Sequence, residues 1–124
     1  MTLSFGSCKS ADEQLEDAIA ECNAECPSEI DDGIYILSYE LDGRNVKFSV
    51  ALDRESYGHQ DLQTYTQAIG EEVEKAFVSG DDPDVEALVD ACRATNRGIV
   101  VSVEWADLED DECWEYRISP ADLK

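Results

Sequence analysis

The chain has 124 residues, enough for one domain that buries roughly two-thirds of its unfolded surface, and it contains no apolar run of the about 18 residues that a membrane-spanning helix needs. Nine Lys and Arg stand against thirty Asp and Glu, a formal charge of −21. That balance excludes ordinary electrostatic binding to nucleic acid or to anionic lipid, because both require cations that replace counterions.

The acids run from Asp12 to Asp122 rather than gathering in one tail, so a solvated surface is their first reading. Adaptation to salt, retention of divalent cations, or a DNA-like decoy for a basic partner are the more specific ones.

At the start of the chain Leu3-Ser4-Phe5-Gly6-Ser7 leads into Cys8. A short apolar run ending in two small residues and a cysteine resembles the lipobox that closes a bacterial lipoprotein signal peptide. The resemblance implies a lipid on Cys8, which becomes the mature N-terminus, and an address in the periplasm or at the cell surface. Asp12-Glu13 soon afterwards is similar to the surface-export signal of some Gram-negative lipoproteins. Residues 1–9 are then a leader remnant or tether, and residues 10–124 form a single domain. With Met1 as an ordinary start, the alternative address is cytoplasmic. The rest of the chain resembles no specific family.

Ser10-Ala11-Asp12-Glu13 reads as a capping box, and Leu15, Ile19, Cys22 and Cys26 then recur at helical spacing until Pro27. From Gly33 the period is two. Tyr35, Leu37, Tyr39 and Leu41 share a strand face, Asp42-Gly43 suits a type I′ hairpin, and Val46, Phe48, Val50 and Leu52 return. A two-residue loop there sets Tyr39 against Val46 and Leu37 against Phe48.

After a polar link from Asp53 to Gln60, Leu62, Tyr65, Ile69, Val73, Ala76 and Phe77 mark a second helix, ended by Gly80. Asp82 caps a third, with Pro83 at its first position; Val85, Leu88, Val89 and Cys92 form its stripe, and Arg93 and Arg97 sit at its negative end. Ile99, Val101, Val103 and Trp105 face Trp114, Tyr116 and Ile118 across a second hairpin. The order α-β-β-α-α-β-β predicts an α+β fold, a four-stranded antiparallel sheet with helices packed on one face.

With Cys8 set aside, Cys22, Cys26, Cys92 and Cys113 permit two disulfides in three connectivities. Their spacings lack the paired Cys-x2-Cys knuckles of zinc sites, which favours an oxidising compartment. Three of them lie on core-facing helix stripes, so Cys92 is expected to bond Cys22 or Cys26. Cys113 falls with Glu115 and Arg117 on the face turned away from the core.

Asp107, Glu109, Asp110, Asp111 and Glu112 are candidate oxygens for a hard cation. Their order is wrong for an EF-hand, and a solvated hairpin loop accounts for them better. His59 is the only histidine, and no nucleophile elbow, metalloprotease helix or phosphate-cradling glycine loop is present. No cofactor or catalytic group is implied.

The expected function is that of a non-enzymatic exported domain, lipid-anchored or secreted, that binds or inhibits a protein partner through its acidic surface, a basic partner suiting it best. Nucleic acid is not bound directly, and a membrane is met only through the lipid. A cytosolic DNA-mimic inhibitor is the alternative.

Overall fold

The computed structural model describes residues 10–79, 82–107 and 112–123. Five strands form one sheet in the order β1-β2-β3-β4-β5, with helices packed on one face. No described helix is long and apolar enough to cross a membrane.

Helix α1 spans Ala11–Asn23. Ser10 caps it, its Oγ accepting from the Glu13 N–H at 3.2 Å, which satisfies one of the orphan donors of the first turn. Leu15, Ala18, Ile19 and Cys22 are its buried face. The helix stops before Cys26. Asn23 instead docks on the sheet, its amide Nδ2 donating to the Tyr39 carbonyl and its Oδ1 accepting from the Tyr39 N–H, both at 2.7 Å. A side-chain amide thus stands in for a strand partner and fixes where α1 ends.

Strand β1 (Ser28–Asp31) was not expected from the sequence, and it makes the sheet five-stranded rather than four-stranded. It pairs antiparallel with β2 (Ile34–Asp42) through a turn at Asp32-Gly33, where Gly33 has φ +78°. The register shifts between Glu29 and Asp31, which leaves Ile30 as the extra residue of a bulge.

The hairpin from β2 to β3 (Asn45–Leu52) forms, but its register corrects the expectation. Tyr39 pairs with Phe48, not Val46, and Leu41 takes Val46. The two-residue loop is Gly43-Arg44, and of these only Gly43, at φ +61°, is left-handed. That is the arrangement of a type II′ turn, which needs positive φ at its first residue alone, whereas type I′ needs it at both.

A second shift between Ile36 and Ser38 makes Leu37 a bulge. The bulge exchanges the two faces of β2. Ile34 and Ile36 pack on the core before it and Tyr39 after it. Tyr35 and Leu37 lie instead on the bare face, around a shallow pocket with Pro27 and Ala51.

Helix α2 is a single turn, Arg54–Tyr57, followed by α3 (Leu62–Ser79) and α4 (Pro83–Ala94). The Asp82 carboxylate caps α4 by accepting from the Asp84 N–H at 2.9 Å. These helices carry the chain back to the start of the sheet, so β4 (Gly98–Trp105) runs parallel to β3, with Val50 opposite Val103. The all-antiparallel expectation fails here because a long helical crossover permits what a hairpin forbids.

Strand β5 (Cys113–Ile118) returns antiparallel, as the second hairpin expected from the sequence, and its register sets Ile99 against Ile118, Val101 against Tyr116 and Val103 against Trp114. A 3-10 turn at Pro120–Leu123 buries Leu123, whose carbonyl accepts from Arg93 Nε.

The core lies between sheet and helices, on Leu15, Phe48, Leu52, Leu62, Leu88 and Val101 among others. Gly70 lets α3 approach β5, since a Cβ there would stand 2.1 Å from Tyr116 Cγ. Tyr116 completes the contact by donating to Glu74 Oε1 at 2.7 Å.

Candidate protein-binding groove

The apolar stripe of α3 is wider than the sheet can cover. Leu62, Thr66, Gly70 and Phe77 are buried against the sheet, which leaves Ile69, Val73 and Ala76 turned toward the short edge strand β1. Between that stripe and the β1–β2 edge run two adjoining cavities of about 530 and 460 Å³. Ile30, Val73 and Ala76 border both, so they form one groove. Ile30 is 57 % exposed there, because the bulge pushes it out of the ladder.

The groove floor is aromatic. Tyr39 and Phe48 have ring centroids 4.8 Å apart, and Phe48 and Phe77 5.7 Å, within the range for tilted aromatic packing. Cys22 and Cys26 form part of the wall at the end of α1. Burial pushes the Cys22 thiol up to about 12, with Asp84 and Asp82 adding to it, and burial also raises Cys26. Burial likewise raises the Tyr39 hydroxyl. All three groups are therefore neutral at physiological pH. Thiols held protonated are poor nucleophiles. The rim of the groove is acidic: Glu25, Asp82 and Asp84 at one end, Glu72 at the other.

The cysteines do not pair as expected. Cys22, Cys26, Cys92 and Cys113 are all free thiols. Helices α1 and α4 run antiparallel, with Cys22 Sγ 3.8 Å from the Asp84 carbonyl at the start of α4 and Asp12 bonded to Arg97 beyond its end. Cys92 lies eight residues after Asp84, about 12 Å along the helix, too far for a bond to Cys22. Cys26 turns its thiol toward the Cys22 carbonyl at 3.5 Å. Cys113 is on the bare face of the sheet, 3.0 Å from Ser102 Oγ, as its alternation implies.

Of the candidate cation ligands, Asp107 is bonded to Arg54 at 2.6 Å, and Glu112 accepts from the indole N–H groups of Trp105 and Trp114 at 3.2 and 2.9 Å. Glu109, Asp110 and Asp111 lie outside the described residues, as does Cys8. No metal-binding group of His, Cys, Asp or Glu occurs among the described residues. His59 is exposed, with Nε2 3.3 Å from the Tyr65 hydroxyl.

Sequence reasoning missed Ile30 and the groove it borders. The Asp32-Gly33 pair was the available signal, since a two-residue turn of that type implies a strand on each side.

No family model matches the chain, and no curated protein does. Two solved structures share its fold. One is a presumed secreted protein from Pseudomonas aeruginosa, similar at a TM-score of 0.65 and 10 % identity over 100 % of this chain and 99 % of that one. The other is the pilotin EpsS of the Vibrio vulnificus type 2 secretion system, at 0.59 and 13 % identity over 92 % and 96 % of the two chains. At these identities the likeness is one of fold.

Proposed function

We propose that this chain is an exported, non-enzymatic binding module that holds an apolar segment of a partner protein in the groove between β1 and α3. Basic residues flanking that segment meet Glu25, Glu72, Asp82 and Asp84. The observation that carries the reading is an uncovered apolar wall, with Ile30 at its centre, inside a rim of carboxylates.

A pilotin and a presumed secreted protein with the same fold support an extracytoplasmic address, and the lipobox-like start supports lipid attachment at Cys8. A decoy for duplex DNA has no use for an apolar floor, which favours a protein partner over the cytosolic DNA-mimic reading.

A short leucine and alanine peptide with paired lysines at both ends is the direct probe, and the same peptide flanked by glutamates is its control. The lysine-flanked peptide is expected to bind, to shift the amide resonances of Ile30 and Val73, and to weaken as salt screens the rim. Ile30→Glu should weaken it about tenfold or more, since an apolar side chain of this size contributes about 1.5–3 kcal/mol when fully buried. Equal affinity for the two peptides, or shifts confined to the bare sheet face, would refute the reading.

A further inference from the structure

The opposite end of α1 carries a different chemistry. Asn45 pairs with Gly98, Ile99 pairs with Ile118, and Arg97 bonds Asp12 at 2.9 Å. One end of the domain therefore collects the Gly43-Arg44 hairpin tip, the last turn of α4 and the first turn of α1. Between them lies a pocket of about 460 Å³ lined by Ser10, Asp12, Arg44, Thr95, Asn96 and Arg97.

Two guanidinium groups face a single carboxylate in this pocket. Asp12 is bonded to Arg97, while Arg44 is exposed and makes no ion pair among the described residues. Arg97 Nε is buried without an acceptor, so Asp12 leaves its donors incompletely satisfied. In a chain of charge −21 this is a local excess of positive charge with planar, forked donors, the arrangement that suits phosphate oxygens.

We propose that this pocket binds the phosphate of a membrane lipid headgroup. The proposal takes its source of phosphate from the reading of Cys8 as the lipid site. Ser10 follows Cys8 by two positions, a reach of at most about 7 Å, so a lipid on Cys8 would hold this end of the domain at the bilayer surface. Attachment makes the headgroup encounter intramolecular, and its high effective concentration offsets the repulsion between the acidic chain and an anionic surface. The pocket then orients the module, with the groove at the other end of α1 turned toward solution.

The experiment uses the full-length chain, isotopically labelled for NMR, with two probes: inorganic phosphate and monomeric short-chain phosphatidylglycerol. Both should shift the amides of Asp12 and Asn96 saturably, with phosphatidylglycerol the tighter. Arg44→Glu, at an exposed turn position, should weaken both about tenfold or more, whereas the distant Lys75→Glu should change neither. No saturable shift, or shifts insensitive to Arg44→Glu, would overturn the pocket. Phosphate binding as tightly as phosphatidylglycerol would overturn the headgroup as its source. The mass of the protein isolated from cells tests the lipid separately: an unmodified Cys8 with Arg44-dependent phosphatidylglycerol binding retained would remove the tether and uphold the pocket.

Discussion

Cys22 lies in the last turn of α1 with Asp82 and Asp84 nearby, and its environment makes folding sensitive to alkali. The unfolded thiol ionises near 9 and the folded one only near 12, mainly because burial disfavours the thiolate. Its stabilising contribution is therefore complete below pH 9 and is lost as pH rises toward 12. Cys92, raised by burial to about 11, acts with the same sign. So does Tyr116, raised to about 12 because its neutral hydroxyl donates to Glu74. The urea midpoint should fall steadily from pH 9 upward, and Cys22→Ala should flatten that slope. In the native protein at neutral pH a thiol reagent should modify exposed Cys113 well before buried Cys22 and Cys92, and matching rates for Cys113 and Cys92 would contradict the burial that underlies these shifts.

At the level of elements, β1 depends on one turn. Gly33 is left-handed, and a Cβ on it would meet Tyr57 Cε2 at 3.0 Å and Asp53 Cβ at 3.2 Å. Its carbonyl accepts from the Asp53 N–H at 2.8 Å, and the Tyr57 hydroxyl donates to the Asp32 carbonyl at 2.9 Å, so α2 braces the turn. Gly33→Ala should cost about 1–2 kcal/mol for the left-handed backbone. Hydrogen exchange is expected to speed up across Ser28–Asp31 and to stay unchanged in β3 and β4. Uniform acceleration across the sheet would show that β1 is not a separable unit.

Helices α1 and α4 were legible because caps and apolar spacing agreed, at Ser10 and at Asp82-Pro83, and α3 was legible from its apolar spacing. The β4–β5 hairpin was legible because both strands alternate with period two, which named the apolar face of each though not their register. Four residues of β1 are too few for alternation to show, and the bulge at Leu37 reverses the period that alternation relies on. Periodicity is also blind to sheet order, so nothing local reported that β4 lies parallel to β3. The groove was hidden for a related reason: Ile30, Val73 and Val85 are far apart in sequence and meet only through that order.

For the whole molecule, the charge of −21 acts on folding and on binding with opposite signs. Self-repulsion of exposed carboxylates opposes compaction, and salt screens it over a distance of about 8 Å at physiological ionic strength. Thermal melts should shift modestly upward as sodium chloride is added, from a state already folded at low salt because the core between sheet and helices is continuous. The lysine-flanked peptide should lose affinity over the same series. A chain unfolded at low salt would instead make adaptation to a saline habitat the better account of the acids.

The parallel pairing of β3 with β4 also sets the order in which the sheet can be completed. A chain synthesised from its N-terminus can close the β1-β2-β3 meander as soon as Leu52 is available, since each pairing is local. The exposed edge of β3, from Asn45 to Leu52, then waits for Gly98–Trp105 and the three intervening helices. Through that interval an apolar strand with unpaired backbone groups lies open to other nascent chains. The seam between β3 and β4 is thus the one that stays open longest, and the acidic residues of α3 and α4 emerge in time to keep neighbouring chains apart by like-charge repulsion.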